Sequence, residues 1–196
     1  SVVYIINDIQ DREKDRCHPK KCNRPIASGA VPVRKAIILA VVLLIIAVVC
    51  NFSVFHVVST VALLIYFIMN LAYSMGLKNM PIVDIGILAA GFLIRVIYGA
   101  AITGIVISNW LYLTVIAGAL YFALGKRRNE LKKISGGETR KVLKAYPAAF
   151  LDRTMVMCLT LMNVFYALWS MDEKTVSFYN NRYLIWTVPF IWLITM

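Results

Sequence analysis

The hydrophobic positions of the chain form long runs that are separated by short polar segments. A run of about 20 apolar residues is long enough to cross the ~30 Å hydrocarbon core of a bilayer as a helix. Five such runs are present, at residues 33–52, 54–73, 82–106, 109–125 and 147–170. A sixth begins at Leu184 and reaches Met196. The pattern predicts an all-α, polytopic transmembrane helix bundle with five full spans and a partial span at each end.

The first residues are also apolar, and they are typical of the end of a preceding helix. They do not have the pattern of a secretory signal. We therefore expect residues 1–196 to form a single transmembrane domain that is a fragment of a larger bundle.

Composition agrees with this pattern. Hydrophobic residues make up 60% of the 196 residues, and the mean hydropathy is +0.73. An ordinary soluble domain has roughly 45 to 50% apolar residues. The net charge of +11 is therefore interpreted as membrane topology plus an anion-binding surface. The sequence contains no nucleic-acid-binding module, and we expect no nucleic-acid partner.

Basic residues are concentrated in alternate loops. The segments 7–32 and 126–146 are rich in Lys and Arg, whereas 51–53 and 104–109 have none and 171–183 has two. The positive-inside rule then predicts that 7–32, 74–81 and 126–146 are cytoplasmic. We expect a multi-pass protein of the cell (inner) membrane whose site faces the cytoplasm.

The cysteines suggest neither disulfides nor a zinc site. Cys17 and Cys22 lie in a loop predicted to face the reducing cytoplasm. Together with His18 they supply three zinc ligands, one fewer than a structural site needs, and they lack a paired CxxC. We expect free thiols.

The most informative polar segment is Asn7-Asp8-Ile9-Gln10-Asp11-Arg12-Glu13-Lys14-Asp15. At about 100° per residue, Asp8, Asp11 and Asp15 lie on one helical face, with Asn7 beside them. Three carboxylates on one face favour a hard divalent cation such as Mg²⁺, which proteins hold with one or two carboxylates plus substrate phosphate oxygens. A solvated polar helix is the alternative interpretation.

A second set of polar residues has the character of an anion site. Arg95 lies deep in the third run, at a cost of about 2.5–3.5 kcal/mol or more, and Asp84 precedes it by nearly three helical turns. Both are expected to point into the bundle, although a purely structural pairing of Arg95 is an open alternative. Tyr73 and Lys78 stand near a helix end with Gly76 as the predicted stop, where Lys78 can also simply extend to the interface.

The segment 7–29 resembles the NDxxDxxxD and RPxxSG motifs of the UbiA superfamily of intramembrane prenyltransferases, since it reads NDIQDREKD and then NRPIASG. The strings YSMGLKNMPIVDIGILAAGFLIRVIYGA, GKRRNEL and TRKVLKAYPAAFLDR are similar to a phosphoribosyl-transferring branch of that superfamily. The usual second aspartate-rich motif is absent from 126–146, where Glu130 and Glu138 are the acidic residues.

The resemblance implies a bundle of about nine helices and a reaction in which a membrane polyprenyl phosphate attacks 5-phosphoribosyl diphosphate and diphosphate leaves. It implies Mg²⁺ held by Asp8, Asp11 and Asp15, with Asn7 as a further catalytic residue. The remaining residues are expected to bind the substrates, without a division among the phosphates. These residues are Arg24, Tyr73, Lys78, Asp84, Arg95, Lys126, Arg127, Arg128 and Glu130.

Two other functions are compatible with the sequence. A UbiA-type enzyme can move a prenyl group from its diphosphate to an aromatic or glycerophosphate acceptor, but a second acidic motif would then be expected. A transporter can place charged residues such as Asp84 and Arg95 along a path through the membrane. The lipid chain length and the formation of a homo-oligomer are left open by the sequence.

Overall fold

The computed structural model describes residues 2–17, 21–54, 57–132, 145–180 and 182–195. Throughout these ranges the regular secondary structure is helical. The chain divides into two compact units, residues 1–78 and 79–196. Of the three candidate zinc ligands, Cys17 and Cys22 are described and His18 lies outside the described residues.

The first unit is built from two short helices and two long ones. They are α1 (Val2–Gln10), α2 (Arg12–Arg16), α3 (Val33–Val54) and α4 (Val57–Met75), with 3₁₀ turns at Lys21–Asn23 and Leu77–Asn79. Helix α1 packs against both α3 and α4. The side-chain amide of Asn51 on α3 donates a 2.8 Å hydrogen bond to the Thr60 hydroxyl on α4, a polar contact of the kind that joins helices in lipid. Helix α4 stops just before Gly76, as predicted.

The described part of the second unit contains five α-helices. They are α5 (Val83–Thr103), α6 (Asn109–Lys132), α7 (Ala148–Met171), α8 (Glu173–Tyr179) and α9 (Val188–Thr195), with a 3₁₀ turn at Tyr183–Thr187. Helix α6 packs between α5 and α7, and α7 also contacts α8 and α9. Glycines permit the close approach of α6 and α7: a Cβ at Gly118 would lie 3.2 Å from the Met162 sulfur.

Four helices of the described chain are long and apolar enough to cross a membrane: Val33–Ser53, Val57–Met75, Val83–Thr103 and Ala148–Met171. Together with their exposed apolar side chains they make this a multi-pass membrane protein. Helix α6 covers the remaining predicted span, 109–125, but is not among the four. Helix α6 begins at a polar residue and ends in basic turns. Its composition is therefore less apolar than that of the other long helices.

The structure corrects the predicted loop boundaries. Residues 7–10 belong to α1 and residues 12–16 to α2, so the aspartate segment is mostly helical rather than loop. Helix α6 continues to Lys132, so the first residues of the predicted loop 126–146 are also helical. Residues 133–144, with Glu138, lie outside the described residues. Each segment contains a residue in an ion pair with a residue outside it: Asp15 pairs with Arg24, and Arg127 pairs with Asp84.

Candidate functional site

In the first unit, the three aspartates keep the predicted helical register across the junction of α1 and α2. The Asp11 N–H donates to the Asn7 carbonyl at 2.9 Å, and the Asp15 N–H donates to the Asp11 carbonyl at 2.8 Å. These are the hydrogen bonds of a continuing helical turn. The carboxylates of Asp8, Asp11 and Asp15 are therefore carried by successive turns of one nearly continuous helical segment.

Arg24 joins two of these carboxylates. Its Nη1 atom lies 2.7 Å from Asp8 Oδ1 and 2.9 Å from Asp15 Oδ2, so the two acids are close neighbours. Asp15 is buried, and the Lys21 ammonium is 3.9 Å from its other oxygen. A buried carboxylate needs such charged partners because desolvation alone disfavours its ionised form.

Lys78 pairs with the third aspartate. Its Nζ atom lies 2.8 Å from both Asp11 oxygens, and its side chain is nearly buried. The predicted alternative, in which Lys78 only extends to the membrane interface, is not what the structure contains. Tyr73 is half-buried one turn and a half earlier in the chain, at the end of α4.

The RPIASG segment is held so that Arg24 can reach the aspartates. The Arg16 guanidinium donates to the Ala27 carbonyl at 3.0 Å, and Ile26 and Ala27 are buried. The Ser28 N–H donates to the Arg24 carbonyl at 2.8 Å. Gly29 has a φ of +85°, a conformation that side-chain-bearing residues rarely adopt, which explains the glycine at this place. Arg16 was not predicted as a positioning residue.

The carboxylates of the first unit could bind a divalent metal ion only if other ligands completed its coordination. Within the described ranges, no group of three or more His, Cys, Asp or Glu residues is placed to hold one metal ion. Asp8 and Asp15 share the Arg24 guanidinium, while Asp11 faces Lys78. Each of the three carboxylates is thus paired with a cationic side chain, so a divalent ion at this place would need further ligands such as substrate phosphate oxygens.

In the second unit, Asp84 and Arg127 form an ion pair with both side chains fully buried. Arg127 Nη1 also contacts Glu130 Oε2 at 2.6 Å. The Tyr146 hydroxyl donates to Asp84 Oδ1 at 2.5 Å. Asp84 thus connects the start of α5 with α6 and with Tyr146, two residues before α7. We name these four residues, Asp84, Arg127, Glu130 and Tyr146, the buried network.

The buried network also reaches a strained turn. Ile82 has a φ of +67°, and the Val83 N–H donates to the Pro81 carbonyl at 2.7 Å, as in a γ-turn. This conformation is costly for a β-branched residue, by about 1–3 kcal/mol. The Ile82 N–H donates to the Tyr146 hydroxyl at 2.5 Å. Burial and the hydrogen bond to Asp84 raise the pKa of Tyr146 to about 12, so the phenol stays neutral at physiological pH.

These contacts alter the predicted roles of several residues. Arg127 and Asp84 are engaged with each other in a solvent-free environment, so neither is accessible to a substrate phosphate in this structure. Arg95 is exposed over the Phe92 ring, with its guanidinium carbon 5.5 Å from the ring centre. Asp84 is buried on α5, as are Ile85, Ala89 and Gly91, whereas the expectation that Arg95 points into a bundle stays a prediction.

Lys126 and Arg128, on either side of Arg127 in the sequence, have different surroundings. Lys126 is exposed, whereas Arg128 makes a bidentate ion pair with Asp152 of α7, with distances of 2.5 and 3.0 Å. Sequence reasoning treated the three adjacent cations alike and missed Asp152 and Tyr146. Both missed residues lie within the segment TRKVLKAYPAAFLDR. The signal in the sequence was that this segment contains one carboxylate and one phenol among basic and apolar residues.

Comparison with known proteins agrees with the helical fold and the aspartate motif. The chain belongs to the UbiA prenyltransferase family, whose profile matches residues 1–196. Proteins of this family generally use a divalent metal ion.

Three relatives are proteins named decaprenyl-phosphate phosphoribosyltransferase. The one from Mycolicibacterium smegmatis is 38% identical over 179 residues, which cover 90% of this chain and 56% of the relative. The one from Corynebacterium glutamicum is 36% identical and covers 88% of this chain and 53% of the relative. The Mycobacterium tuberculosis protein is 34% identical and covers 97% and 63%. The chain therefore spans somewhat more than half the length of these relatives.

Proposed function

We propose that this chain carries the catalytic motif of an enzyme that transfers the 5-phosphoribosyl group of phosphoribosyl diphosphate to a membrane polyprenyl phosphate. Three observations support the proposal: the family, the names of the relatives, and the pairing of the aspartates with Arg24 and Lys78. The last of these carries the most weight, because it gathers acids for a metal and bases for phosphate at one place in the first unit.

The proposed donor site is built from that set. Diphosphate oxygens would complete the coordination of a Mg²⁺ ion beside Asp8, Asp11 and Asp15, and the ion would neutralise charge on the leaving group. Arg24 and Lys78 already lie against these carboxylates. Both are thus placed to donate charge-assisted hydrogen bonds to diphosphate oxygens. Asn7 is placed at the start of the same helical face, where its amide can orient a ligand.

The chemistry requires little from a general base. An oxygen of the lipid phosphate, which is already an anion, forms a bond to the anomeric carbon while the bond from that carbon to diphosphate breaks. The electron pair of the broken bond leaves with the diphosphate, and the sugar carbon passes through an oxocarbenium-like state, as in other glycosyl transfers. Preorganised positive charge at the leaving group is the main requirement, and Arg24, Lys78 and the metal ion would supply it.

Donor choice distinguishes the proposal from prenyl transfer within the same family. Purified full-length protein with Mg²⁺ should bind phosphoribosyl diphosphate, and Lys78→Gln should weaken that binding by roughly ten- to a hundredfold, the worth of one charge-assisted contact. Lys174→Gln, which removes an exposed charge from α8, is the matched control. Binding of geranylgeranyl diphosphate with no binding of phosphoribosyl diphosphate would replace the proposal with prenyl transfer.

A further inference from the structure

A cleft of about 660 Å³ lies along the outer side of α6 beside α7, in the second unit. Its volume is within the range of small-molecule sites. The cleft crosses the boundary between the two chemical halves of α6. Residues 109–125 are uncharged, and residues 126–132 contain four basic side chains and one acidic one. Tyr121, Phe122 and Met155 line its apolar part, whereas Lys126, Arg128 and Lys132 line its polar part.

The charge of the polar part is positive after its internal pairs are considered. Glu130, the acid in the lining, is paired with the buried Arg127 at 2.6 Å. Arg128 is paired with Asp152. Lys126 and Lys132 are exposed, and the Asn129 amide in the same lining adds a neutral donor. Arg127 is buried against Asp84, and the adjacent Lys126 points about 100° away from it and is exposed.

The apolar part identifies the class of ligand. Phe122 is 66% exposed and stands edge-on to Tyr121, with ring centres 5.7 Å apart. A free phosphate or a sugar phosphate has no apolar group that could pack against an exposed aromatic pair next to the cations. A lipid has such a group, because its acyl chains begin next to its phosphate, at the boundary between polar and apolar surroundings. Aromatic rings next to basic side chains are features of lipid-headgroup sites at the membrane interface.

We propose that this cleft binds the phosphate of an anionic phospholipid, with Lys126 and Lys132 contacting the headgroup and Tyr121 and Phe122 contacting the first part of the chains. The residues that form this site all belong to the second unit, and its occupancy does not depend on the transfer reaction. Lys126 and Lys132 thereby serve a membrane lipid rather than the phosphoribosyl donor.

The test measures lipid retention directly on the purified full-length protein. Protein equilibrated in micelles with equal amounts of phosphatidylglycerol and phosphatidylcholine is analysed by native mass spectrometry. The double variant Lys126→Gln/Lys132→Gln should lose about fivefold in phosphatidylglycerol affinity per lysine removed, with phosphatidylcholine unchanged. Lys174→Gln/Arg182→Gln, which removes two exposed charges elsewhere in the same unit, should retain the wild-type preference.

Further measurements distinguish a lipid phosphate from inorganic phosphate and from the phosphoribosyl donor. Phe122→Ala should also reduce phosphatidylglycerol retention, and millimolar inorganic phosphate should not displace the lipid. Unchanged retention in the lysine variant, or displacement by inorganic phosphate, would overturn the proposal. So would a raised KM for phosphoribosyl diphosphate in the lysine variant reconstituted in phosphatidylcholine alone, since that would assign the lysines to the donor. An absence of transfer activity leaves the lipid measurement intact and concerns the proposed function only.

Discussion

At the scale of single residues, the aspartate segment separates acids with different surroundings. Asp8, Asp11 and Asp15 contact Arg24 or Lys78, whereas the Glu13 side chain is 76% exposed and has only long contacts to Arg12 and Arg16. All four acids lie in the same short segment. Composition alone cannot rank them, but helical register places the three aspartates on one face and Glu13 off it.

The first prediction uses this contrast. Asp11→Asn keeps the size of the side chain but removes a hard anionic ligand and the partner of Lys78. We expect turnover to fall by at least two orders of magnitude, because an electrostatic contact to the leaving group is worth that much in other enzymes. Glu13→Gln should leave turnover near the wild-type value. Both variants should be expressed at similar levels, as measured by quantitative immunoblotting of membranes.

Excess Mg²⁺ or Mn²⁺ should partly rescue Asp8→Asn and Asp15→Asn if these acids hold a metal. Near-normal turnover of Asp11→Asn, or equal loss in Glu13→Gln, would contradict the assignment of the aspartates to one metal-and-diphosphate site.

Tyr146 gives a prediction on stability. Its hydroxyl accepts the Ile82 N–H and donates to Asp84. Tyr146→Phe leaves a backbone donor and a buried carboxylate short of a partner, which should cost about 1–3 kcal/mol of unfolding free energy. Tyr4→Phe, at a side chain that is 69% exposed, should cost almost nothing. Chemical denaturation in detergent measures both, and equal stability of the two variants would remove Tyr146 from the buried network.

The same residue sets a pH dependence. The folded-state pKa of Tyr146, about 12, lies above its ordinary value of 10.0 because burial and the bond to Asp84 favour the neutral phenol. The stability that comes from this shift is fully present below pH 10 and is lost as the pH rises through about 12. Wild-type protein should therefore lose stability more steeply than Tyr146→Phe between pH 10 and 12. Parallel curves in that window would show that Tyr146 is not the group whose ionisation destabilises the fold.

At the scale of helices, the length and register of the hydrophobic runs predicted α3, α4, α5 and α7 to within a few residues. These positions follow from the thickness of the bilayer and the need to satisfy backbone hydrogen bonds within it. The continuation of α6 to Lys132 was not predicted, because the basic residues end the apolar run. Arg127 in these turns is paired with Asp84 of α5, and a local pattern does not reveal such a partner.

The three cations at the end of α6 illustrate the same limit. Lys126, Arg127 and Arg128 are adjacent and chemically alike in sequence. Successive helical residues point about 100° apart, so that one contacts α5, one contacts α7 and one faces outward. Which of them is buried depends on the packing of α6 against α5, and in the structure it is Arg127, next to Asp84.

This difference in burial predicts different costs of substitution. Arg127→Met leaves Asp84 as an unpaired buried charge and should destabilise the protein by about 3–5 kcal/mol. Lys126→Gln should change stability by no more than about 0.5 kcal/mol. The double variant Arg127→Met/Asp84→Leu should be more stable than Arg127→Met alone, because it removes both charges. Equal costs for Lys126→Gln and Arg127→Met, measured by thermal unfolding in detergent, would contradict the buried ion pair.

At the scale of the whole molecule, the charge of the loops predicts the orientation of the chain in the membrane. The segment with Cys17 is predicted to face the cytoplasm and the segment 171–183 the opposite side. Cys17 is exposed, and Ser177 offers an exposed position on α8. In an otherwise cysteine-free protein, an impermeant maleimide should label Ser177→Cys in intact cells and Cys17 only after permeabilisation. Strong labelling of Cys17 from outside would reverse the topology.

The most direct test of the proposed function follows the phosphoribosyl group itself. Full-length protein in liposomes is supplied with polyprenyl phosphate, Mg²⁺ and phosphoribosyl diphosphate that carries radiolabel in the ribose. Label should appear in the organic extract, require both the lipid phosphate and Mg²⁺, and be abolished by Asp11→Asn but not by Glu13→Gln. Label that stays in the aqueous phase while the same protein consumes a prenyl diphosphate would contradict phosphoribosyl transfer.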